Sequence, residues 1–155
     1  MLSVGRRVMM SRSKTAVTVL FLFVPMILSA DVIHVPVDYG KIQEAINAAS
    51  DNDLILVADG TYTGQDNVDL NFSGKAITLK SENGPENCVI DCNGSDLDPH
   101  RAFFFRNGEG EDSIVEGFTI TNGWTYPGGA IYCINSSSPT IRNNIFDTNT
   151  AHCPT

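Results

Sequence analysis

The sequence predicts an all-β protein that winds as a parallel solenoid, with one α-helix near its start and a signal peptide before that helix. Three observations lead to this prediction. Residues 1–30 have the composition of an export leader, residues 39–50 have helical periodicity, and the remainder consists of short apolar runs that recur at a nearly constant spacing. A recurrence of about 20 to 50 residues is typical of coiled repeat architectures.

The first 30 residues predict a secretory signal peptide. Four basic residues between positions 6 and 14 precede the apolar run AVTVLFLFVPMIL (16–28), and small residues at 29 and 30 follow it. This order of basic, apolar and small residues defines such a leader. A membrane anchor is the alternative, but the run falls short of the roughly 20 residues of a bilayer span and contains Pro25. We expect cleavage near Ala30, a secreted or cell-surface location, and no membrane insertion after the leader is removed.

The charge of the remaining chain excludes two classes of partner. Residues 31–155 contain six basic and 18 acidic residues, which is a formal net charge of −12. Nucleic acids and anionic membranes bind basic surfaces. We therefore expect no nucleic-acid partner and no membrane partner.

Four cysteines, at positions 88, 92, 133 and 153, allow three disulfide pairings in an exported chain. Zinc is disfavoured because such sites use two close cysteine pairs or nearby histidines, and His100 and His152 are not placed that way. Cys133 and Cys153 are about one repeat apart. This spacing favours a Cys133–Cys153 disulfide, while the other pairings stay open.

The segment DYGKIQEAINAAS predicts the helix, from Tyr39 to Ser50. Asp38 is the expected N-cap, because a side-chain oxygen there accepts a hydrogen bond from the first turn. The apolar residues recur at helical spacing and form one narrow stripe. They are Ile42, Ala45, Ile46 and Ala49.

Beyond the helix, the chain contains strand-like runs that repeat. VEGFTITNG (115–123) aligns with IRNNIFDTN (141–149) at an offset of 26, and AFFF (102–105) aligns with AIYC (130–133) at an offset of 28. KAITLKSENGPENCVIDCNG is a looser, earlier copy. A sandwich of hairpins is the default for many short strands. The offsets instead favour a coil in which Val115 lies beside Ile141 and Ile120 beside Phe146, about 4.8 Å apart.

Uncharged polar residues concentrate in AIYCINSSSPTIRNNIFDTNTA (130–151). Where turns of a coil stack, asparagine and serine hydrogen-bond between turns, whereas stacked like charges would repel. Asparagine also tolerates the left-handed backbone of tight corners. We expect Asn143, Asn144 and Asn149 at corners of the coil.

These stretches together resemble right-handed parallel β-helix proteins of the pectin-lyase-like fold, in particular the repeat-bearing surface proteins of bacteria. The motifs are YGKIQEAINAASDNDLILVADGTYTG, ITLKSENGPENCVIDCNG, VEGFTITNG and GGAIYCINSSSPTIRNNIF. The resemblance covers residues 31–155. It implies that the helix caps the N-terminal end of the coil and that 31–155 is the N-terminal part of a longer coil. Activity does not follow from it, because the fold hosts polysaccharide-active enzymes and non-catalytic proteins alike.

The densest acidic region predicts a calcium site, since Ca²⁺ takes six to eight oxygen ligands. The candidate ligands are Asp91, Asp96, Asp98, Glu109, Glu111 and Asp112. A solvated acidic surface is the alternative. The same carboxylates would also serve as acid and base on a uronate polymer, with Arg101 pairing the substrate carboxylate. Calcium is the only cofactor expected, and none is required; no catalytic residue is assigned.

Two loop aromatics, Trp124 and Tyr126, are candidates for stacking on sugar rings, with packing over a neighbouring turn as the alternative. We expect an exported, non-catalytic β-helix module of a surface or extracellular protein that contacts a polysaccharide. The alternative is a polysaccharide lyase or carbohydrate esterase acting on acidic polysaccharides such as pectin or alginate.

Overall fold

A computed structural model describes residues 29–152, which form a parallel β-solenoid with one short α-helix. The predicted leader, apart from its last two residues, lies outside the described residues, and so does Cys153. Within 29–152, no helix combines the length and the apolar character that crossing a membrane requires.

The described chain contains one helix, α1 (Ile42–Ala48), and 13 short strands. The strands are β1 (Val32–Val35), β2 (Leu54–Val57), β3 (Gly60–Thr63), β4 (Thr78–Ser81), β5 (Cys88–Asp91), β6 (Phe103–Phe105), β7 (Ile114–Glu116), β8 (Thr119–Thr121), β9 (Trp124–Thr125), β10 (Ile131–Cys133), β11 (Thr140–Arg142), β12 (Ile145–Asp147) and β13 (Thr150–Ala151).

All pairings between these strands are parallel. The largest sheet has the order β1-β2-β4-β7-β11, the next β12-β8-β5-β3, and two smaller pairs are β10-β6 and β13-β9. Each strand pairs with its equivalent in a neighbouring turn. This places Val115 beside Ile141 and Ile120 beside Phe146, as the 26-residue offset predicts. The 28-residue offset is confirmed as well, since Phe103 pairs with Ile131.

The core lies inside the coil and is built from alternate residues of the strands up to β8. In the last turn, β11 to β13 contain no buried residue, and Phe146, which pairs with buried Ile120, is 51% exposed. In the four-stranded sheet, Tyr62, Ile90 and Ile120 occupy equivalent positions in successive turns, and all three are buried. Each turn can bury its inward side chains only against its neighbours. A buried aliphatic or aromatic side chain stabilises the fold by about 1.5–3 kcal/mol, so the core depends on the register of the turns.

The helix is shorter than predicted, and its termini are stabilised by other turns of the coil. The prediction that Asp38 is the N-cap is wrong. Lys41 occupies the N-cap position without a side-chain cap. Asp38 instead accepts a hydrogen bond from the backbone amide of His34. The Ile42 amide donates to Asn67 Oδ1 at 3.1 Å. At the other end, the Lys75 ammonium donates to three carbonyls, those of Ile46, Asn47 and Ala49, each at 2.8 Å.

The predicted apolar stripe of α1 is confirmed. Ile42, Ala45 and Ile46 are fully buried and Ala49 is 3% exposed. Because these side chains enter the same core as the strands, the helix belongs to the coil and packs against its first two strands.

Asparagines occupy the corners, but most of them bond to backbone rather than to each other. The Asn144 amide donates to Val115 O and accepts from the Phe118 amide, and Asn149 bonds in the same way to Ile120 O and Gly123 N. Asn143 takes a left-handed backbone, φ 55°, at the position where the preceding turn has Gly117 at φ 84°. The prediction of corner positions is consistent with this geometry, and the amides satisfy backbone groups that strands leave unpaired.

Candidate functional site

The strand Phe103–Phe105 builds the candidate site by placing one of its three rings on the surface. Phe103 and Phe105 are fully buried, whereas Phe104 points outward. In the next turn Tyr132 pairs with Phe104, and their rings stack with centroids 5.5 Å apart and planes 22° apart. The parallel register therefore makes a two-ring stack on the outer face of the β6–β10 pair.

Two arginines flank this stack. The Arg101 guanidinium lies 5.0 Å from the Phe104 centroid and 5.4 Å from that of Tyr132, and the Arg106 guanidinium lies 4.9 Å from Phe104. A guanidinium within about 6 Å of a ring is attracted to its negative face. We call Arg101, Phe104, Arg106 and Tyr132 the aromatic–arginine surface.

Arg101 joins this surface to the loop that contains the predicted sugar-contacting aromatics. Its guanidinium donates to Pro127 O at 2.6 Å and to Thr125 Oγ1 at 3.0 Å. Burial lowers the pKa of Arg101 from its usual value, against the nearby charges of Asp69 and Tyr132. Two of its five N–H donors are engaged within the protein, and these hold the loop in place. Pairing of Arg101 with a substrate carboxylate stays a prediction.

The two predicted sugar-contacting residues differ in exposure. Tyr126 is 57% exposed. Trp124 is half-buried and stacks on His152, with centroids 5.7 Å apart and planes 17° apart. Packing therefore covers part of the Trp124 ring, while Tyr126 presents its ring to solvent.

The six predicted calcium ligands do not converge on one point. Asp91 accepts from Asn93 and Asn122, Asp98 lies 3.3 Å from His100 Nε2, and Asp96, Glu111 and Asp112 are exposed. Glu109 is fully buried and bonded to protein donors. Within the described range, no group of three or more histidine, cysteine or acidic residues has the arrangement to hold a metal. Calcium binding stays a prediction.

A cleft of about 560 Å³ contains a residue pair that the sequence analysis missed. His100 Nδ1 lies 2.6 Å from Asp69 Oδ2, and the backbone amide of Arg101 donates to the other oxygen of Asp69. The hydrogen bond with Asp69 raises the pKa of His100, aided by the charges of Asp69 and Asp98 and opposed by burial. Because Asp69 belongs to the preceding turn in a loop of variable length, no repeat offset pointed to this pair.

The structure restricts the disulfide pairings. Cys88 and Cys92 are both buried, and four residues of extended chain separate their Cα atoms by about 13 Å. A disulfide needs Cα atoms within about 7 Å, so Cys88 and Cys92 cannot pair with each other. Cys133 is exposed, and its predicted partner lies outside the described residues. The Cys133–Cys153 disulfide stays a prediction.

Cys88 and Cys92 are expected to resist alkylation in the native protein. Burial raises the pKa of each thiol to about 12, assisted by Asp59 at Cys88 and by Asp69 and Asp91 at Cys92. The reactive thiolate is then roughly 1,000-fold scarcer than for a thiol with the ordinary pKa of 9. Iodoacetamide at pH 8, with peptide mass mapping, should modify both only after denaturation. Native modification of either residue as fast as reduced Cys133 would contradict this.

No protein-family model, curated protein or solved structure shows significant similarity to the chain.

Proposed function

We propose that this chain is an exported, non-catalytic module of a surface or extracellular protein, and that it contacts glycans. In this proposal the coil is a right-handed β-helix of the pectin-lyase-like type, α1 caps its N-terminal end, and residues 1–30 are removed on export. The parallel solenoid and the net charge of −12 after residue 30 support a soluble, extended scaffold rather than a binder of nucleic acid or membrane.

One observation carries the glycan contact: aromatic rings lie outside the core on adjoining parts of the coil. Phe104 and Tyr132 stack on the outer face, and Arg101 ties that face to the loop of Tyr126. Aromatic side chains are large, rigid and apolar, so solvent-facing rings held in place are suited to stacking on the apolar faces of sugars. Of these rings Tyr126 is exposed, whereas Phe104 and Tyr132 are half-buried.

Removal of the exposed ring should weaken glycan binding. We expect Tyr126→Ala to reduce affinity for a bound neutral oligosaccharide about 10-fold, the equivalent of about 1.4 kcal/mol. Trp124→Ala should have a smaller effect, because its ring also packs on His152. Isothermal titration calorimetry against oligosaccharides selected on a glycan array measures both.

Tyr39→Ala is the matched control. Tyr39 is also exposed, at 38%, but it precedes α1 and is remote in sequence from the β6–β10 pair. Equal weakening by Tyr39→Ala and Tyr126→Ala would contradict a defined surface, and failure to bind any glycan on the array would overturn the proposed function.

The alternative is a polysaccharide lyase or carbohydrate esterase, and the Asp69–His100 pair is the observation that favours it. An imidazole oriented by a carboxylate is a common general base. However, both ring nitrogens of His100 face carboxylates, those of Asp69 and Asp98. Incubation with pectate, pectin and alginate in the presence of calcium separates the two functions. Unsaturated or de-esterified product that disappears in His100→Gln would replace our proposal with the alternative.

A further inference from the structure

The guanidinium of Arg106 lies over an aromatic ring and has no polar partner among the described residues. It is exposed and rests 4.9 Å from the Phe104 ring centroid. Among residues 29–152 its side chain has no hydrogen-bond or ion-pair partner. The other two arginines of this range are engaged, Arg101 with Thr125 and Pro127, and Arg142 with Glu116.

The surroundings of Arg106 fix its backbone and the ring on which its guanidinium rests. Its backbone carbonyl accepts a hydrogen bond from Asn135 Nδ2 at 3.1 Å, and the ring beneath it is fixed by stacking on Tyr132. A guanidinium held against a ring loses less conformational freedom on binding than a free lysine would. The donors of Arg106 are therefore available for a ligand at low entropic cost.

We propose that Arg106 pairs with the carboxylate of an acidic sugar carried singly on an otherwise neutral glycan. This inference rests on the proposed glycan contact and names its ligand class. The planar guanidinium matches a carboxylate with two parallel hydrogen bonds, while Tyr132 and Tyr126 offer rings for the neighbouring sugars. Arg106 would recognise the charge of the sugar carboxylate, which stacking of sugars on aromatic rings does not.

The charge of the rest of the protein limits the bound glycan to one acidic group. Exposed Glu111 and Asp112 follow Arg106 closely in the chain, and residues 31–155 carry a net charge of −12. Charges beyond about 8 Å are largely screened at physiological salt, so the adjoining guanidinium acts more strongly on one carboxylate at Arg106 than the distant acidic groups of the protein do. A polyuronate would extend over the acidic surface and be repelled by it.

Three probes test this ligand class by calorimetry: a neutral β-glucan hexasaccharide, the same hexasaccharide ending in one glucuronic acid, and hexagalacturonate. We expect the singly acidic probe to bind tightest. Arg106→Gln should weaken that probe about 10-fold and the neutral probe by much less, because the neutral probe lacks the carboxylate that Arg106 pairs. Arg106→Lys should recover only part of the loss, because it restores the charge without the planar pair of donors.

Arg142→Gln is the matched control, because it removes the same charge from another sheet of the coil. Unchanged binding by this variant supports the inference, whereas equal loss in both variants would show a net-charge effect and overturn it. Tightest binding of hexagalacturonate, or equal affinity for the neutral and singly acidic probes, would overturn the inference but leave the glycan contact standing. Absence of binding to all three probes and to the glycan array would overturn both.

Discussion

Replacing Phe105 with alanine is expected to lower the free energy of unfolding by about 4 kcal/mol. The ring is fully buried. It contacts Phe72 edge-on, with centroids 5.1 Å apart, and stacks on Phe103 at 5.9 Å. Truncation removes these contacts and leaves a cavity that rigid strands on either side cannot fill, because each strand is held by its pairing with the next turn.

Phe104→Ala is the internal control for this prediction. It deletes the same atoms one residue earlier in the same strand, but from an outward ring. We expect a smaller loss there, about 2 kcal/mol, since the variant gives up partial burial, one ring pair and two guanidinium–ring contacts. Urea unfolding followed by circular dichroism measures both variants. Equal losses would show that the alternation of the strand is wrong.

The contrast within Phe103–Phe105 shows what the sequence can and cannot predict about this fold. Three consecutive phenylalanines in a strand require at least one to face outward, because side chains alternate with a period of two. The sequence does not determine which one. In the structure the neighbouring turns determine which rings face inward. Phe103 bridges Leu70 on one side and pairs with Ile131 on the other.

Strand register was predictable in the last two turns, where apolar residues recur at a constant offset. In the earlier turns paired residues are 22 to 36 positions apart, as between Val32 and Leu54 and between Thr78 and Ile114, and no single offset predicted them. Val115 and Ile141 are separated by 26 residues, and they pair directly. A one-residue slip would turn every inward side chain outward, so the hydrophobic pattern specifies the register strongly.

Contacts between loops were not predictable, because loop lengths vary from turn to turn. The Asn67 side chain caps α1 from 25 residues away, and Asp69 reaches His100 across 31. Neither separation matches the offsets of 26 and 28 that were recognised in the sequence. The cleft and the loop bound by Arg101 depend on such contacts, which is why Arg101 and His100 were found in the sequence without their partners.

Glu109 was misplaced in the sequence analysis for a related reason. It stands between Gly108 and Gly110 in a loop with Glu111 and Asp112, a composition that predicts solvent exposure. Instead its side chain is fully buried. Its Oε1 accepts from the Gly74 amide at 3.1 Å, and its Oε2 accepts from the Asn107 amide at 2.9 Å and from Ser137 Oγ at 2.7 Å. One carboxylate thus links three successive turns.

Glu109→Gln is accordingly expected to lower the free energy of unfolding by about 3 kcal/mol. The glutamine amide has one accepting oxygen where the carboxylate has two. Its NH₂ group must face either the Gly74 or the Asn107 amide, both of which are donors. One buried N–H is then left unpaired next to a second donor. Glu111→Gln, an exposed change two residues away, should shift stability by less than about 0.5 kcal/mol.

The pH dependence of unfolding distinguishes loss of the carboxylate's charge from a packing defect. Burial alone would raise the pKa of Glu109, but hydrogen bonds from Ser137, Asn107 and Gly74 outweigh it, so the pKa lies below the ordinary 4.5. A group with a lowered folded-state pKa stabilises the protein above its unfolded pKa, and this contribution disappears as the pH falls through the folded value. Native protein should therefore lose stability below about pH 4.5 more steeply than Glu109→Gln does, so that their unfolding curves converge in acid. If the two remain separated by a constant amount from pH 7 to pH 3, the charge of Glu109 does not hold the turns together.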